Sequence, residues 1–598
     1  MVEFFDSHDE EYKKPFGAIC DNQMVIFTVH WECQSSVILT VMKEDTGLIH
    51  SINMNRISDD LWIAEYRFID IGLYFYRFEG DSRYIVKTPN SSKGILSDSF
   101  DNEWFIQLVY AKEYIAPSNM AGRVIYQIFP DRFYHRYVIE TGLEERQIHQ
   151  DLNITPSYME VGQDMKNNDF FGGNLDGIKE KLSYLKELGV GIIYLNPIFL
   201  SHSNHRYDTS DYFKVDPLLG TNEDFKELCD SAKELDISIV LDGVFSHTGA
   251  DSIYFDRFHR YGSTGAYANI NSRYRNWYFF DDSEIGYRCW WGVYTLPEID
   301  EDNISFRDFI CGEDGVIDYW MSLGASGFRL DVADELPDSF ICDIRKAIKK
   351  HGDEKILIGE VWENAVTKVS YNTRRRYLWG EELDSVMNYP FRESIIDFVR
   401  FGNAQEFMGS IMEIVECYPK PMMDIMMNLL STHDTQRLIN ALVAPFEDRP
   451  RSWQANRVIS KDEYLYSVEM AKLAFTILFT LPGIPSIYYG DEIGMTGYGD
   501  PFNRGYFRWD EIDYNIREYI VNLSRIRREH SVFREGKMIP LYYENSVVAY
   551  LRENPSQSVL VVVNRSEVQN SFNIRGRTFI TNPWRVTIEL LKETECEH

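Results

Sequence analysis

The chain has 598 residues, of which 44% are hydrophobic, and a formal net charge of −32. This length and apolar content are sufficient for several cores and predict more than one domain. The acidic field repels polyanions, so it excludes nucleic acid and an anionic membrane surface as partners and is compatible with a neutral substrate. No apolar run approaches the roughly 18 residues that a membrane helix requires.

Cysteine usage and the N-terminal segment bear on the compartment. The eight cysteines are scattered, without a CxxC pair or a zinc-site spacing, and we interpret them as reduced, mostly buried thiols. The first residues, MVEFFDSHDEEYKK, are acidic and contain no apolar signal region. We therefore expect a cytoplasmic protein.

Residues 1–120 have the pattern of a β-sandwich. Short runs rich in β-branched and aromatic residues alternate with polar or glycine-containing turns. These runs are MVIFTVHWE, SVILTVMKE, LWIAEYRF, GLYFYRFEG and WFIQLVYA.

From Val124 onward, apolar strands alternate with amphipathic helices, which is typical of a parallel sheet with helices packed against it. We predict a (β/α)8 TIM barrel over residues 121–535. Its eight candidate strands lie in VIYQIFPDRF, IIYLNPIF, IVLDGVFSH, FRLDV, ILIGEVW, LDSVMNYPF, MNLLSTHD and IPSIYYGDEIG.

Two helix boundaries can also be predicted. Five apolar residues between Leu175 and Leu188 fall on one helical face, and Gly189 is placed to end that helix in a left-handed conformation. Thr221 has the pattern of an N-cap for a second helix. Its predicted buried face is Phe225, Leu228, Cys229 and Ala232.

Two segments interrupt or follow the alternation. The segment that spans about residues 248–312 is too long for a plain strand-to-helix loop, so we interpret it as a subdomain inserted after the third strand. Residues 536–598 return to short β-type runs and predict a C-terminal β-sheet domain.

Charged residues stand where the barrel strands end. The string GFRLDVADE contains Arg329 and Asp331, IGEVW contains Glu360, and STHD contains Asp434. Barrel enzymes carry their chemistry at the carboxyl ends of the strands. Arg329 is two residues from Asp331 on one strand face, which favours the ionised carboxylate of a nucleophile.

Glu360 suits a different role. If Val361 and Trp362 surround it with apolar groups, its carboxyl stays protonated and acts as a general acid. Glycoside hydrolysis requires this pair of carboxyls. Asp434 is a candidate for holding sugar hydroxyls, and two histidines, His247 and His433, are candidate hydrogen-bond donors. A single buried acid or histidine is more often a satisfied core group; several at neighbouring strand ends favour catalysis.

Four segments together resemble the signature regions of the α-amylase family, glycoside hydrolase family 13. They are DGVFSH (242–247), GFRLDVADE (327–335), GEVW (359–362) and STHD (431–434). The strings IYQIFPDRF, FFGGNLDGI, SNHRYDTSDY and YYGDEIG are also similar to that family, so the resemblance spans about residues 121–515.

The resemblance implies a retaining double displacement with no cofactor in the chemistry. It implies that Asp331 is the nucleophile, Glu360 the acid/base and Asp434 the transition-state stabiliser. It also implies a set of substrate-binding residues, in which Tyr207 stacks on the sugar and Asp500 and Arg504 lie on the donor side. The other members of the set are Asp242, His247, Arg329, His433 and Glu335.

Within the family, the chain is most similar to the neopullulanase, cyclomaltodextrinase and maltogenic amylase group. The similarity rests on the N-terminal β domain, which resembles a starch-binding-type module, on Glu335 in VADE, and on the absence of a signal peptide. It implies a homodimer in which one N-terminal domain caps the partner's site. The chain departs from the group at LPEID (296–300) and at Ser246.

The sequence allows two interpretations each for a candidate metal-binding loop and for the aromatic residues of the insertion. Asn167, Asn168 and Asp169 are candidate ligands for a structural calcium ion, with an ordinary polar loop as the alternative. Three aromatic residues of the insertion, Trp290, Trp291 and Tyr294, are expected either to line the acceptor side or to pack the insertion.

We therefore expect a hydrolase of α-1,4-glucosidic bonds in maltooligosaccharides, cyclodextrins, pullulan or starch, with some transglycosylation. One alternative is an α-glucanotransferase or α-glucosidase of the same family. A second is a non-catalytic glucan-binding protein on this fold.

Overall fold

A computed structural model describes residues 4–88, 91–99, 103–139, 146–163, 165–443, 449–574 and 576–593. The seven cysteines within these ranges are free thiols. Cys596 and the first three residues of the acidic N-terminus lie outside the described residues.

Eight parallel strands close into a barrel, which confirms the predicted fold class. Nearly all of their residues are buried, as expected for a parallel sheet that is covered on both faces. In chain order, and around the barrel, the strands are Ile125–Ile128, Ile192–Leu195, Ser238–Gly243, Gly327–Leu330, Ile356–Gly359, Ser385–Asn388, Met427–Leu429 and Ile484–Tyr488.

Helices surround the barrel. The α-helices are Leu175–Glu180, Leu182–Leu188, Asn222–Glu234, Ile304–Cys311, Val316–Ser322, Asp338–Lys349, Tyr389–Phe401, Ala404–Cys417, Lys420–Met423, Leu438–Val443, Arg451–Asn456, Lys461–Thr480, Tyr514–Glu529 and Val532–Glu535. Short 3-10 helices cover Pro130–Arg132, Arg275–Trp277, Trp290–Gly292, Ala333–Glu335, Asp491–Ile493 and Phe502–Arg504.

The two predicted helix boundaries are confirmed. Gly189 ends its helix with φ of 92°, a left-handed conformation that glycine adopts without strain. Thr221 caps the next helix in a reciprocal capping box with Asp224. One detail was wrong: the segment before Gly189 forms two helices, because Lys181 leaves helical geometry at ψ of 3°.

The N-terminal segment contains two sheets that pack face to face around one apolar cluster. Phe27 of one sheet contacts Tyr76 of the other with ring centroids 4.9 Å apart. The first sheet contains Lys13–Lys14, Gln23–His30, Leu61–Phe68 and Asn55–Arg56. The second contains Gly94–Ser97, Arg83–Lys87, Gly72–Gly80, Phe105–Tyr110, Ile19–Cys20, Ile38–Lys43 and Ile49–Asn53.

The C-terminal segment forms an antiparallel sheet and a short two-stranded ribbon. Its strands are Lys537–Glu544, Val547–Glu553, Gln557–Asn564 and Arg585–Glu593 in the sheet, and Asn570–Ile574 and Arg577–Thr581 in the ribbon. Short strand pairs elsewhere are Gln147–Ile148 with Asp169–Phe170, Phe199–Ser201 with Thr209–Val215, and Val369–Ser370 with Thr373–Arg374.

Residues 248–312, between the third and fourth barrel strands, consist mainly of turns, with one α-helix at their end. Phe255 packs against Tyr278 and Tyr287, with ring centroids 4.7 Å apart in each pair. Aromatic packing therefore supplies the core of this segment. Trp291 differs, because 77% of its surface is exposed.

A buried ion pair joins the N-terminal domain to the barrel. Glu416, on helix Ala404–Cys417, accepts a hydrogen bond from Lys13 at 3.4 Å and lies 3.1 Å from His8 Nε2. Burial alone raises the pKa of Glu416, but the charges of Lys13 and His8 outweigh burial and lower that pKa from 4.5 to about 2. The ionised carboxylate therefore stabilises the contact between the domains.

We predict that this contact weakens in acid. The pKa of Glu416 is lowered in the folded state. The ionised carboxylate therefore stabilises the folded protein fully above pH 4.5, and this stabilisation is lost as the pH falls toward 2. Glu416→Gln should lower the free energy of unfolding by about 3 kcal/mol at pH 7 and by much less near pH 2.5. Urea unfolding at the two pH values measures this, with Glu413→Gln on the same helix as the control. An equal loss at both pH values would contradict the assignment.

Candidate active site

The carboxyl ends of four barrel strands bring the predicted acids into one site. Asp242 lies near the end of the third strand, and Asp331 directly follows the fourth. Glu360 directly follows the fifth strand, and Asp434 lies in the loop after the seventh. The parallel register of these strands determines the placement, since it aligns their carboxyl ends at one mouth of the barrel.

Arg329 connects three of these acids. It lies on the fourth strand and is fully buried. Its Nη1 donates to Asp242 Oδ1 at 2.8 Å and to Asp331 Oδ1 at 3.0 Å. Its Nη2 forms an ion pair with Glu360 Oε2 at 2.7 Å. One guanidinium therefore holds the candidate nucleophile and the candidate acid side by side.

One cation does not neutralise three buried acids. Burial raises the pKa of Asp331 well above its usual range, Arg329 opposes that rise, and Glu360 adds to it. Burial raises the pKa of Asp242 in the same way, also against Arg329. Arg329 thus favours the ionised form of Asp331, as expected, but burial and the charge of Glu360 oppose it. Because these acids interact strongly, Asp242 and Asp331 titrate as coupled groups and not independently.

The surroundings of Glu360 also differ from the expectation. The Val332 N–H donates to Glu360 Oε2 at 2.9 Å, and Trp362 Nε1 donates to Oε1 at 3.1 Å. The predicted apolar setting from Trp362 is wrong because the indole turns its polar edge to the carboxylate. The ring of Trp362 stacks on Tyr389 with centroids 3.8 Å apart. Both oxygens of Glu360 are thus held in a defined orientation.

Tyr207 joins Asp242 to His433 beside the acids. Its hydroxyl donates to Asp242 Oδ2 at 2.8 Å and lies 2.6 Å from His433 Nε2. The two rings stack with an interplanar angle of 7° and centroids 5.4 Å apart. The predicted sugar-stacking ring therefore has a fixed position in the site.

Arg504 connects the loops that follow the seventh and eighth strands. Its Nη2 donates to Asp434 Oδ1 at 3.1 Å, and its Nη1 lies 2.8 Å from Asp500 Oδ1. His433 Nε2 lies 3.0 Å from Asp434 Oδ2. The predicted donor-side residues thus form one network with Asp434.

The remaining predicted substrate-binding residues, His247 and Glu335, lie in different surroundings from each other. His247 is buried, and among the described residues its Nε2 has no hydrogen-bond partner. Burial lowers the pKa of His247 to about 4, so the ring is neutral near pH 7. Glu335 bonds outside the acid network, at the rim of the site, to Trp291 and Tyr371.

Sequence reasoning missed several supporting residues. Tyr194, on the second strand, donates to Asp242 Oδ2 at 2.5 Å. Gln127, on the first strand, lies 2.9 Å from His433 Nδ1 and donates to Asn196 at 3.0 Å. In the sequence, such a supporting residue is indicated by a polar side chain within an apolar strand, as with Gln127 in VIYQIF. Tyr389, which stacks on Trp362, gave no comparable signal.

The candidate calcium ligands are engaged in other contacts. Asp169 accepts hydrogen bonds from Asn204 Nδ2 at 2.7 Å and from the Ser157 N–H at 3.0 Å. Asn167 Nδ2 lies 3.3 Å from His205 Nε2. Within the described ranges, no group of three or more His, Cys, Asp or Glu side chains is arranged to hold a metal ion. These contacts favour the polar-loop alternative.

Among the described helices, none combines the length and the apolarity that a membrane span requires.

Comparison with known proteins agrees with the fold. The family model described as the alpha amylase catalytic domain matches residues 127–536. A cyclomaltodextrinase from Thermoanaerobacter pseudethanolicus is 33% identical over 76% of this chain and 72% of its own. A solved structure of a cyclic alpha-maltosyl-(1→6)-maltose hydrolase from Arthrobacter globiformis superposes with a TM-score of 0.67 at 27% identity, covering 79% of this chain and all of that one.

The chain therefore belongs to the alpha-amylase family. An amylopullulanase from Thermoanaerobacterium saccharolyticum is 33% identical over 96% of this chain and 49% of its own. The chain thus spans about half the length, or less, of the amylopullulanases that it matches.

We predict that Arg329→Gln destabilises the protein in a pH-dependent way. The pKa values of Asp242 and Asp331 are raised in the folded state, so the cost of ionising them is absent in acid and grows as the pH rises. Loss of the guanidinium should lower the free energy of unfolding by about 3 to 5 kcal/mol at pH 8 and by less at pH 5. Thermal unfolding against pH measures this, with Arg508→Gln as the control; a pH-independent deficit would refute it.

Proposed function

We propose that this protein is a retaining glycoside hydrolase that cleaves α-1,4-glucosidic bonds of maltooligosaccharides, cyclodextrins, pullulan or starch. One observation carries the proposal: Arg329 holds Asp331 and Glu360 through adjacent guanidinium nitrogens. Retaining glycosidases need two carboxyls close enough to act on one bond from both sides.

The proposed reaction has two steps. In the first, Asp331 attacks the anomeric carbon while Glu360 gives its proton to the leaving oxygen, which forms a glycosyl ester on Asp331. In the second, Glu360 removes a proton from water, the water oxygen attacks the anomeric carbon, and the ester bond breaks. The first step requires an ionised Asp331 and a proton on Glu360.

The remaining residues are proposed to bind the reacting sugar. Asp434 contacts Arg504 through one oxygen and His433 through the other, and its side chain is partly exposed, so it can still accept a hydrogen bond from a sugar hydroxyl. His247 has a neutral ring with a free Nε2, which suits a hydrogen bond to a hydroxyl. Tyr207 offers its ring face for stacking on the sugar, and Asp500 with Arg504 extends the site on the donor side.

The relatives suggest which bonds are cleaved. The names amylopullulanase, cyclomaltodextrinase and neopullulanase recur among them, which favours α-1,4 hydrolysis with pullulan and cyclodextrins among the substrates. An α-glucanotransferase or α-glucosidase would use the same acids. A non-catalytic glucan-binding protein is disfavoured because the acid pair and its guanidinium are intact.

We further propose that residues 1–120 form a starch-binding-type module, residues 121–535 the catalytic barrel with its insertion at 248–312, and residues 536–598 a C-terminal β domain. A homodimer and a cytoplasmic location complete the proposal. The seven described free cysteines are compatible with a reducing compartment.

Replacing Glu360 tests the role of the acid. Glu360→Gln keeps the shape but has no proton to donate, so hydrolysis of maltoheptaose should fall by about 10² to 10⁴-fold with binding retained. Initial rates and calorimetric binding measure the two effects. Glu354→Gln, an exposed glutamate just before the same strand, is the control and should behave as wild type. Normal turnover by Glu360→Gln would eliminate this role.

A product profile distinguishes the alternative functions. We expect a hydrolase to release reducing ends from maltotriose, β-cyclodextrin, pullulan and starch, with minor longer products when acceptor is added. Dominant longer products identify a glucanotransferase, and glucose alone identifies an α-glucosidase. Oligosaccharide binding without any new reducing ends would refute an enzymatic role.

A further inference from the structure

Two aromatic side chains at the rim of the site share one carboxylate. Trp291 Nε1 donates to Glu335 Oε1 at 3.0 Å, and the Tyr371 hydroxyl donates to Glu335 Oε2 at 2.6 Å. The two rings come from different loops, the insertion after the third strand and the loop after the fifth. They remain exposed, Trp291 by 77% and Tyr371 by 69%. Glu335 thus positions two ring faces toward solvent.

Both aromatic residues have left-handed backbone conformations. Tyr371 has φ of 49° and is followed by Asn372 at 62°, so the hairpin Val369–Arg374 turns through two left-handed residues. Trp291 has φ of 48°. A bulky residue in this region costs about 1 to 3 kcal/mol and persists where the surroundings maintain it, commonly at ligand sites. The fold therefore maintains two strained residues in order to present these rings.

The rings are continuous with the catalytic site. Trp291 is next to Trp290, whose ring centroid lies 5.4 Å from that of His247. Glu335 lies in the loop that follows Asp331, and Tyr371 lies in the loop that follows Glu360. Glu360 is the acid that protonates the leaving group, so these loops border the acceptor side; Asp500 and Arg504 follow the eighth strand, on the donor side.

The N-terminal domain of the same chain holds this hairpin. Arg374, at its end, donates from Nε to Glu44 Oε2 at 2.9 Å and from Nη2 to Glu44 Oε1 at 2.7 Å. Glu44 directly follows strand Ile38–Lys43 of the N-terminal domain. Lys368, at the base of the hairpin, pairs with Asp334 at 2.8 Å. The hairpin is thus fixed between the catalytic loop and the N-terminal domain.

We propose that Tyr371 and Trp291, joined through Glu335, form an acceptor-side platform for the distal sugars of an α-glucan, and that Glu44 positions this platform through Arg374. The platform rests on the proposed function. Exposed apolar surface beside a polar site is characteristic of a ligand groove, and aromatic rings present flat apolar faces at low conformational cost. The positioning role gives the N-terminal domain an influence on substrate choice within one chain.

The test compares short and long substrates. For maltoheptaose, Tyr371→Ala and Trp291→Ala should each raise KM by about tenfold with kcat changed less than about twofold, because they remove binding outside the reacting sugars. For maltotriose the change should stay below about twofold. Tyr371→Phe, which keeps the ring but loses the hydrogen bond to Glu335, should recover only part of the loss. Tyr543→Ala in the C-terminal sheet is the matched control and should leave both substrates unaffected.

Glu44→Gln tests the positioning role. It should raise KM for maltoheptaose by about threefold and leave maltotriose unchanged. Asp98→Asn, which removes another ion pair of the N-terminal domain with Arg83, should change neither substrate.

The outcomes separate the platform from the proposed function. If Tyr371→Ala raised KM equally for maltoheptaose and maltotriose, the platform would be overturned. If Tyr371→Ala raised KM for maltoheptaose and Glu44→Gln did not, the positioning role of Glu44 would be overturned. If wild-type protein released no reducing ends from either substrate, the proposed function itself would fail.

Discussion

The contact of Arg329 with three carboxylates is the constraint on which the site depends. A buried guanidinium without acids, or three buried acids without a cation, would be strongly destabilising. The barrel resolves this by aligning the ends of the third, fourth and fifth strands, so that Asp242, Asp331 and Glu360 meet one side chain. The same arrangement places beside one guanidinium the two carboxyls that the proposed glycoside cleavage uses.

Other polar contacts orient the groups around this centre. Tyr194 and Tyr207 both donate to Asp242, and Gln127 contacts the far nitrogen of His433. Such polar networks hold their members in one arrangement, because each unpaired group would carry a desolvation penalty. In the described part of the chain, buried atoms without a hydrogen-bond partner include His247 Nε2 and Gln127 Oε1. A sugar hydroxyl is expected at His247 Nε2.

Much of this could be predicted from the sequence, for a physical reason. The barrel strands are continuous apolar runs, and Asp242, Asp331 and Glu360 come at the ends of such runs, so the pattern locates both the strand and its acid. Helix caps such as Thr221 and Gly189 are equally local signals.

What depends on long-range contacts could not be predicted. The proton balance of Asp331 depends on acids from other strands, and the orientation of the Trp362 edge depends on stacking with Tyr389, which lies after the next strand. The joining of Tyr371 to Trp291 through Glu335 requires three loops to meet, and no spacing in the sequence indicates it.

In the proposed reaction, Asp331 attacks while Glu360 supplies the proton. The most direct measurement treats Glu360→Gln with α-maltosyl fluoride, whose fluoride leaves without protonation, and maps the adduct by mass spectrometry. We expect a maltosyl ester on Asp331, formed as the carboxylate displaces fluoride and long-lived because no base activates water. A stable adduct on any other residue would contradict it, as would turnover without an adduct in this variant.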